Sequence, residues 1–188
     1  MRYSNFASFD REHLNVFLFT HRIRLHRTRD TLSFAMSRAC VFLDRDGVIN
    51  EKPAPHDYVR TWNDFKFLPN ISDWIRLFNA LGYPVIVISN QRGVARGIMS
   101  AAGVDEIHRN MVAELASRGA IIDDIFYCPH QDGECNCRKP LPGLVIQAQE
   151  KWDLDLSKSL LIGDSDADEQ LAATCGIRFL RAANGQLV

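Results

Sequence analysis

Val41-Phe42-Leu43-Asp44-Arg45-Asp46-Gly47 is the stretch from which the fold can be read. The run from Cys40 to Leu43 is apolar and reads as a buried strand, and two carboxylates two positions apart follow at its end. In an extended chain residues i and i+2 point the same way, so Asp44 and Asp46 are expected to face one site. Gly47 lets the backbone bend and come close to a ligand. Two acidic groups at one strand end repel each other unless positive charge lies between them, whether a divalent metal, a cation on a phosphate or a shared proton. Taken alone, Asp-x-Asp-Gly is also an ordinary acidic turn closing a strand. The residues downstream decide against that.

Further strand-like apolar runs occur at 84–89, 121–127, 159–163 and 177–181, and the first run extends over 40–44. Between them lie stretches with helical spacing. Residues 71–81 carry Ile71, Trp74, Ile75, Phe78 and Leu81 with Gly82 as a stop, and residues 101–118 carry Val104, Ile107, Met111 and Leu115. Residues 142–152 and 166–175 complete the set, with Pro140 and Pro142 suited to a helix entry. Strands alternating with helices predict an α/β, Rossmann-like, doubly wound and mainly parallel sheet of about five strands. In such sheets ligands bind at the carboxyl ends of the strands. Asp46 follows the first strand, Ser89-Asn90 ends the second and Asp164 ends the fourth, so three strands deliver polar groups to one edge. Residues 50–69, with Pro53, Pro55 and Pro69, read as a long loop. About forty residues separate Asp46 from Ser89 and already contain a helix, so no separate cap domain fits there.

The chain has 188 residues, enough for one domain with a real core, and a formal net charge of -1 that offers no general case for nucleic acid or membrane binding. No apolar run approaches membrane-spanning length. Residues 1–39 hold seven Arg against three acidic residues, while the remainder holds fifteen basic against twenty acidic. Residues 1–35 are expected to be a poorly ordered Arg-rich extension, with Met36 as a working start and organelle import as the other reading. Residues 36–188 then form the folded domain. Five cysteines are present, three of them at Cys128, Cys135 and Cys137, which suggests metal binding in a reducing, cytoplasmic setting rather than a disulfide framework. Cys40 and Cys175 sit in apolar context and read as core thiols.

If a phosphate monoester binds at the sheet edge, the residues there match the needs of its hydrolysis. Asp44 can attack phosphorus and become a phosphoaspartate. Asp46 can give a proton to the leaving oxygen and take one from the water that follows. Asp164, Asp44 and a backbone oxygen near Asp46 can hold Mg²⁺. Ser89 can hydrogen-bond a phosphoryl oxygen, and Lys139 supplies a point charge. Cys128-x-His130-x4-Cys135-x-Cys137 offers four soft or borderline ligands for tetrahedral Zn²⁺ with no open position, which is a structural site. Cys137 is bonded to Arg138, and Lys139 comes next, so zinc would fix where those cations point.

The ordered set Phe42 to Asn50, Ser89-Asn90-Gln91, Cys137-Arg138-Lys139-Pro140 and Gly163-Asp164-Ser165-Asp166-Ala167-Asp168 resembles the haloacid dehalogenase superfamily of phosphatases. Residues 89–97 and the cysteine cluster look most like its D-glycero-D-manno-heptose 1,7-bisphosphate 7-phosphatase group, with histidinol-phosphate phosphatases as near relatives. The resemblance implies Asp44 as nucleophile, Asp46 as acid/base, Ser89 and Lys139 as phosphoryl contacts, and Asp44, Asp46 and Asp164 as Mg²⁺ ligands. It implies Asn90, Arg92, Arg138 and Ser165 on the substrate side and Cys128, His130, Cys135 and Cys137 as zinc ligands. The chain departs from the heptose group at Ser165, where that group carries Lys, and at Arg92, where the residue is commonly small.

The function the resemblance implies is a Mg²⁺-dependent phosphomonoesterase that removes the 7-phosphate of D-glycero-D-manno-heptose 1,7-bisphosphate through a phosphoaspartate, a small phosphorylated sugar or metabolite being its partner, as a monomer, without nucleic acid or membrane. Histidinol-phosphate phosphatase is the enzyme alternative. A polynucleotide-end phosphatase is a third option, disfavoured because a polyanion would want basic stripes and the core of this chain is acidic. A phosphoacceptor signalling domain shares the fold, but an acid/base beside the phosphorylated Asp works against a long-lived acyl phosphate. A zinc-dependent binding module leaves Asp44, Asp46, Lys139 and Asp164 without a role.

Overall fold

The computed structural model of the chain describes residues 37–54, 57–183 and 186–187. The Arg-rich extension at 1–35 lies outside the described residues, as do Pro55 and His56 of the long loop. All five expected strands are present: β1 (Val41–Leu43), β2 (Val85–Asn90), β3 (Asp124–Cys128), β4 (Leu160–Gly163) and β5 (Arg178–Ala183). A short sixth strand, β6 (Gln186–Leu187), runs antiparallel to β5. The sheet order is β3-β2-β1-β4-β5-β6, parallel except at its β6 edge. β1, β2 and β4 read as continuous apolar runs because helices cover both their faces, and β1 is buried along its whole length.

The helices are α1 (Ile71–Ala80), α2 (Ala101–Ser117), α3 (Gly143–Trp152) and α4 (Asp166–Cys175). Leu144, Val145 and Ala148 of α3 and Leu171 and Ala172 of α4 pack with Phe42, Ile86, Ile88 and Leu161 on one face. Ile71, Trp74 and Phe78 of α1 meet Leu43 and Ile162 on the other. The strand order accounts for this division: the chain steps from β1 outward through β2 to β3, then returns past β1 to β4 and β5, and parallel crossovers of one hand put the helices of the two directions on opposite faces.

β3 starts three residues later than the apolar run 121–127 suggests. The reason is Asn79 at the end of α1, whose side chain accepts from Ile121 N at 2.8 Å and donates to Ile121 O at 3.1 Å. Ile121 therefore finds its partners outside the sheet. Among its described residues the loop between β1 and α1 holds one 3-10 turn, Trp62–Asp64, and an aromatic cluster in which Trp62 stacks on Phe65 at 5.0 Å and Phe67 meets Phe65 edge-on. Asn50 pairs with Phe67, and Leu68 N donates to Ile49 O at 2.9 Å, folding the loop back on itself. Among the described residues nothing resembling a separate cap domain interrupts the fold.

Candidate active site

The strand order reverses between β2 and β4, on either side of β1. A crevice opens at the carboxyl end of such a switch. Leu43 and Ile162 lie side by side in the register, so Asp44 and Asp164 emerge from neighbouring strands, and Asp44 N donates to Ile162 O at 2.9 Å. Past Asp44 the chain makes a tight turn in which Arg45 O accepts from Ile49 N at 2.8 Å and Asn50 N at 3.1 Å. Gly47 stands in this turn with φ +91°, and a Cβ there would lie 2.1 Å from Asp164 Oδ2. Only glycine lets the turn reach the Asp164 carboxylate.

Asp44, Asp164 and Asp168 bring one carboxylate oxygen each within 4.8 Å of one another, a donor set suited to a hard divalent cation. Asp168 reaches the cluster through a capping box at the start of α4. Ser165 Oγ accepts from Asp168 N, and the Asp168 carboxylate accepts from Ser165 N at 3.2 Å and from Ser165 Oγ at 2.5 Å. Gly163 makes room, since a Cβ there would meet Asp168 Cβ at 2.3 Å. Lys139 sits among these groups with only 2% of its side chain exposed. Its Nζ lies 2.8 Å from Asp44 Oδ1 and 2.7 Å from Asp168 Oδ1, and donates to Ile88 O at 3.1 Å. Three acceptors thus match the three ammonium hydrogens. Asp168 Oδ1, buried, has no hydrogen-bonding partner beyond that ammonium. The contacts leave three carboxylates facing one buried cation, an imbalance a divalent ion would relieve.

Burial pushes the Asp44 carboxyl up to about 7, with Lys139 pulling down and Asp168 and Asp46 pushing further up. For Lys139 burial pulls down, but the Asp44 and Asp168 charges win and raise it, so the ammonium stays charged. A second cation, Lys52 from the folded-back loop, places Nζ 2.7 Å from Asp164 Oδ2.

Asp46 and Asp44 diverge, because the turn ends the two-residue alternation of the strand. The Asp46 carboxylate lies outside the three-carboxylate cluster. It accepts from Arg45 Nη2 at 2.9 Å on both oxygens, from Asn50 Nδ2 at 2.9 Å and from Gln91 Nε2 at 3.0 Å. Burial would raise its pKa, but the Arg45 charge and the hydrogen bonds from Asn50, Arg45 and Gln91 outweigh it and hold the carboxyl below its usual range. Gln91 Nε2 also donates to Ser89 Oγ at 2.8 Å, linking Asp46 to the end of β2. Arg45 is fully buried, and its Nη1 lies 3.4 Å from His108 Nε2. A guanidinium can only donate, so Nε2 accepts and the ring carries its proton on Nδ1.

The remaining sequence-derived residues divide. Asn90 engages the Lys139 backbone, accepting from Lys139 N at 3.0 Å and donating to Lys139 O at 3.1 Å. Ser165 spends its hydroxyl on the α4 cap. Arg92 and Arg138 both bond the Asp132 carboxylate. Asp168, Gln91, Arg45 and Lys52 were given no role from sequence. For Asp168 the signal existed: Ser165-x-x-Asp168 is a capping-box pattern, and it fixes where the carboxylate points.

Cys128, His130, Cys135 and Cys137 converge as their spacing predicts. Cys128 Sγ is 3.6 Å from His130 Nδ1 and 3.5 Å from Cys135 Sγ; Cys137 Sγ is 3.4 Å from His130 Nδ1 and 3.3 Å from Cys135 Sγ. Tetrahedral zinc with thiolates needs edges of about 3.8 Å, so a small outward adjustment admits the ion. Burial would raise the Cys135 thiol, but hydrogen bonds from Cys137 and from the backbone N–H groups of Cys137 and Arg138 lower it to about 7, close to ionisation at neutral pH.

The chain is similar in sequence and fold to known phosphatases. The family model "Polynucleotide kinase 3 phosphatase" matches residues 39–174. D-glycero-beta-D-manno-heptose-1,7-bisphosphate 7-phosphatase of Rhodopseudomonas palustris is 42% identical over 155 residues, covering 78% of this chain and 84% of that protein. The corresponding alpha-named enzyme of Mycobacterium bovis is 43% identical over 135 residues, covering 71% of this chain and 70% of that protein. The crystal structure of D,D-heptose 1,7-bisphosphate phosphatase from B. bronchiseptica, complexed with magnesium and phosphate, superposes with a TM-score of 0.72 at 35% identity, covering 78% of this chain and 83% of that one. Fold, carboxylate cluster and sequence kinship together mean that the chain belongs to the haloacid dehalogenase-like phosphatases, alongside the heptose bisphosphate 7-phosphatases.

Proposed function

We propose that the protein removes the 7-phosphate of a D-glycero-D-manno-heptose 1,7-bisphosphate through a phosphoaspartate on Asp44. The observation that carries the reading is the buried Lys139 ammonium held between Asp44 and Asp168, with Asp164 in the same cluster. The names of the relatives support the sugar.

Asp44, Asp164 and the Asp46 region would hold Mg²⁺, and the donor set fits it: oxygen ligands, with a surplus of negative charge in the cluster. When bound, the ion reduces the repulsion between carboxylate and phosphoryl oxygens and polarises the phosphoryl group. Asp44 attacks phosphorus, forming the acyl–oxygen–phosphorus bond as the bond to the sugar oxygen breaks. Lys139 and Ser89 stabilise the phosphoryl oxygens in this step. Asp46 gives its proton to the departing alkoxide. The free protein holds Asp46 ionised, and the arriving phosphate dianion raises its affinity for a proton. Water then cleaves the phosphoaspartate, Asp46 takes the water proton, and inorganic phosphate leaves. Asp168 holds Lys139 in place, and Asn90 clamps its backbone.

Cys128, His130, Cys135 and Cys137 would bind structural Zn²⁺, and an all-protein set of three sulfurs and one imidazole fits that ion. The folded domain is taken to span residues 36–188. With no membrane-spanning helix among the described residues and five free cysteines, a reducing cytoplasm suits the protein.

The test is phosphate release with Mg²⁺ from both heptose bisphosphate anomers, histidinol phosphate and a 3′-phosphorylated DNA end, with Asp44→Asn as control. The expected result is preferential turnover of a heptose bisphosphate, abolished by Asp44→Asn. A tenfold preference for histidinol phosphate or the DNA end reassigns the substrate. Equal release by both proteins rejects the phosphatase.

A further inference from the structure

His108 stands on α2, 6% exposed and outside the carboxylate cluster, yet it touches the group that holds Asp46. Arg45 Nη2 donates to both Asp46 oxygens at 2.9 Å, and Arg45 Nε donates to Asp46 Oδ1 at 3.2 Å. This fork fixes the plane of the carboxylate. Arg45 Nη1 is the guanidinium nitrogen not engaged with Asp46, and it donates to His108 Nε2 at 3.4 Å. Asp46, Arg45 and His108 therefore form a continuous chain from the crevice to α2.

The imidazole is itself held in place. The Tyr127 ring of β3 meets it edge-on with centroids 5.4 Å apart. Tyr127 Oη donates to Asp105 Oδ1, one turn earlier on α2, at 3.1 Å. The Arg45 side chain is only 1% exposed, so water is a poor substitute for the acceptor at Nη1. An acid/base alternates between carboxylate and carboxylic acid. Each time Asp46 is protonated, Arg45 loses its counter-charge, and the hydrogen bond at Nη1 is what then keeps the guanidinium in register. Burial, and then the Arg45 charge, keep the ring neutral. A neutral imidazole suits this duty, because it accepts from Nη1 without a charge that would compete with Asp46 for the arginine.

We infer that His108 is a positioning residue for the acid/base step: through Arg45, 63 residues away in sequence, it fixes the direction in which Asp46 presents its proton to the leaving oxygen. The inference rests on the reading of the crevice as a phosphatase site, and it deepens that reading by adding a residue of α2 to the machinery behind Asp46.

A leaving group that needs no proton separates positioning from mere structure. Phosphate release with Mg²⁺ is measured as kcat/KM, which reports the step that breaks the ester bond. The substrates are two alkyl esters, heptose 1,7-bisphosphate and fructose 1,6-bisphosphate, and one aryl ester, p-nitrophenyl phosphate, whose phenolate departs unprotonated. The proteins are wild type, Asp44→Asn, Asp46→Asn, His108→Phe and His108→Gln, each checked by urea unfolding. A positioned acid contributes roughly 10²- to 10⁴-fold. The alkyl-to-aryl ratio is expected to fall about tenfold in His108→Phe, which keeps a ring and loses the acceptor, and further in Asp46→Asn. In His108→Gln, whose amide oxygen can accept from Nη1, the ratio should stay within about threefold of wild type. An equal loss on both ester classes in His108→Phe, or the same fall in the ratio for the Phe and Gln variants, overturns the inference and leaves the phosphatase standing. Equal release by wild type and Asp44→Asn overturns the phosphatase reading, and the inference with it. Should His108→Phe not fold, the wild-type protein decides. Long-range ¹H–¹⁵N correlation spectra near neutral pH should show a neutral His108 with its proton on Nδ1, and a proton on Nε2 overturns the inference.

Discussion

Asn90 and Lys139, 49 residues apart in sequence, hold each other by a reciprocal pair of hydrogen bonds between the Asn90 amide and the Lys139 backbone. The end of β2 thereby fixes where the cysteine-rich loop delivers its lysine. Replacing Asn90 by Ala removes both bonds and leaves the Lys139 N–H without its partner. The expected cost is about 1–2 kcal/mol of stability in urea unfolding and a loss of kcat of about tenfold as Lys139 loses its position. Unchanged kcat in a destabilised protein would mean that Lys139 is held by its ion pairs alone.

Gly47→Ala tests the closeness of the turn to Asp164. The added methyl would fall 2.1 Å from Asp164 Oδ2 at a φ of +91°, so either the turn or the carboxylate must move. The variant is expected to lose about 1–3 kcal/mol. It should also bind Mg²⁺ more weakly, measured by calorimetric titration of the substrate-free protein. Wild-type Mg²⁺ affinity would show that Asp164 does not ligate the ion.

Lys52 occupies Asp164 Oδ2 in the free protein and so competes with any metal there. Its side chain is 57% exposed, so the pair is weak. Lys52→Gln should tighten Mg²⁺ binding by about two- to fivefold in the same titration. Equal or weaker affinity would show that the lysine gives way without cost.

Cys135→Ser removes one of the four converging Cys and His side chains that would bind zinc. Zinc content measured by elemental analysis should fall below one per chain, and activity should fall by about tenfold because Arg138 and Lys139 follow directly on this loop. Full activity in a demonstrably zinc-free protein would separate the loop from catalysis.

His108 provides a pH test away from the carboxylate cluster. Burial, and then the neighbouring Arg45 charge, lower its pKa to about 4. An unfolded chain has the ordinary value of about 6.5. Between these values the unfolded state binds the extra proton, so the contribution of His108 is full above pH 6.5 and is lost as pH falls toward 4. From pH 7.5 to 5, wild type should lose about 2 kcal/mol more stability than His108→Gln, measured by urea unfolding at both pH values. Equal losses would mean that His108 is not held neutral.

Local residue chemistry decided a great deal. Apolar runs placed β1 to β5 within a few residues, helical spacing placed the four α-helices among the described residues, and the Cys–His spacing marked four side chains that do converge. Those features depend on near neighbours in the chain. Periodicity, turn residues and short ligand spacings are therefore readable in one dimension. The divergence of Asp46 from Asp44, the entry of Asp168 into the cluster and the arrival of Lys52 at Asp164 were not. Each depends on a turn breaking an alternation, or on an element brought from far along the chain, as in the 112-residue separation of Lys52 and Asp164. Which charges meet is settled only when the sheet order sets β4 beside β1, because burial and Coulomb energy act through space and not along the sequence.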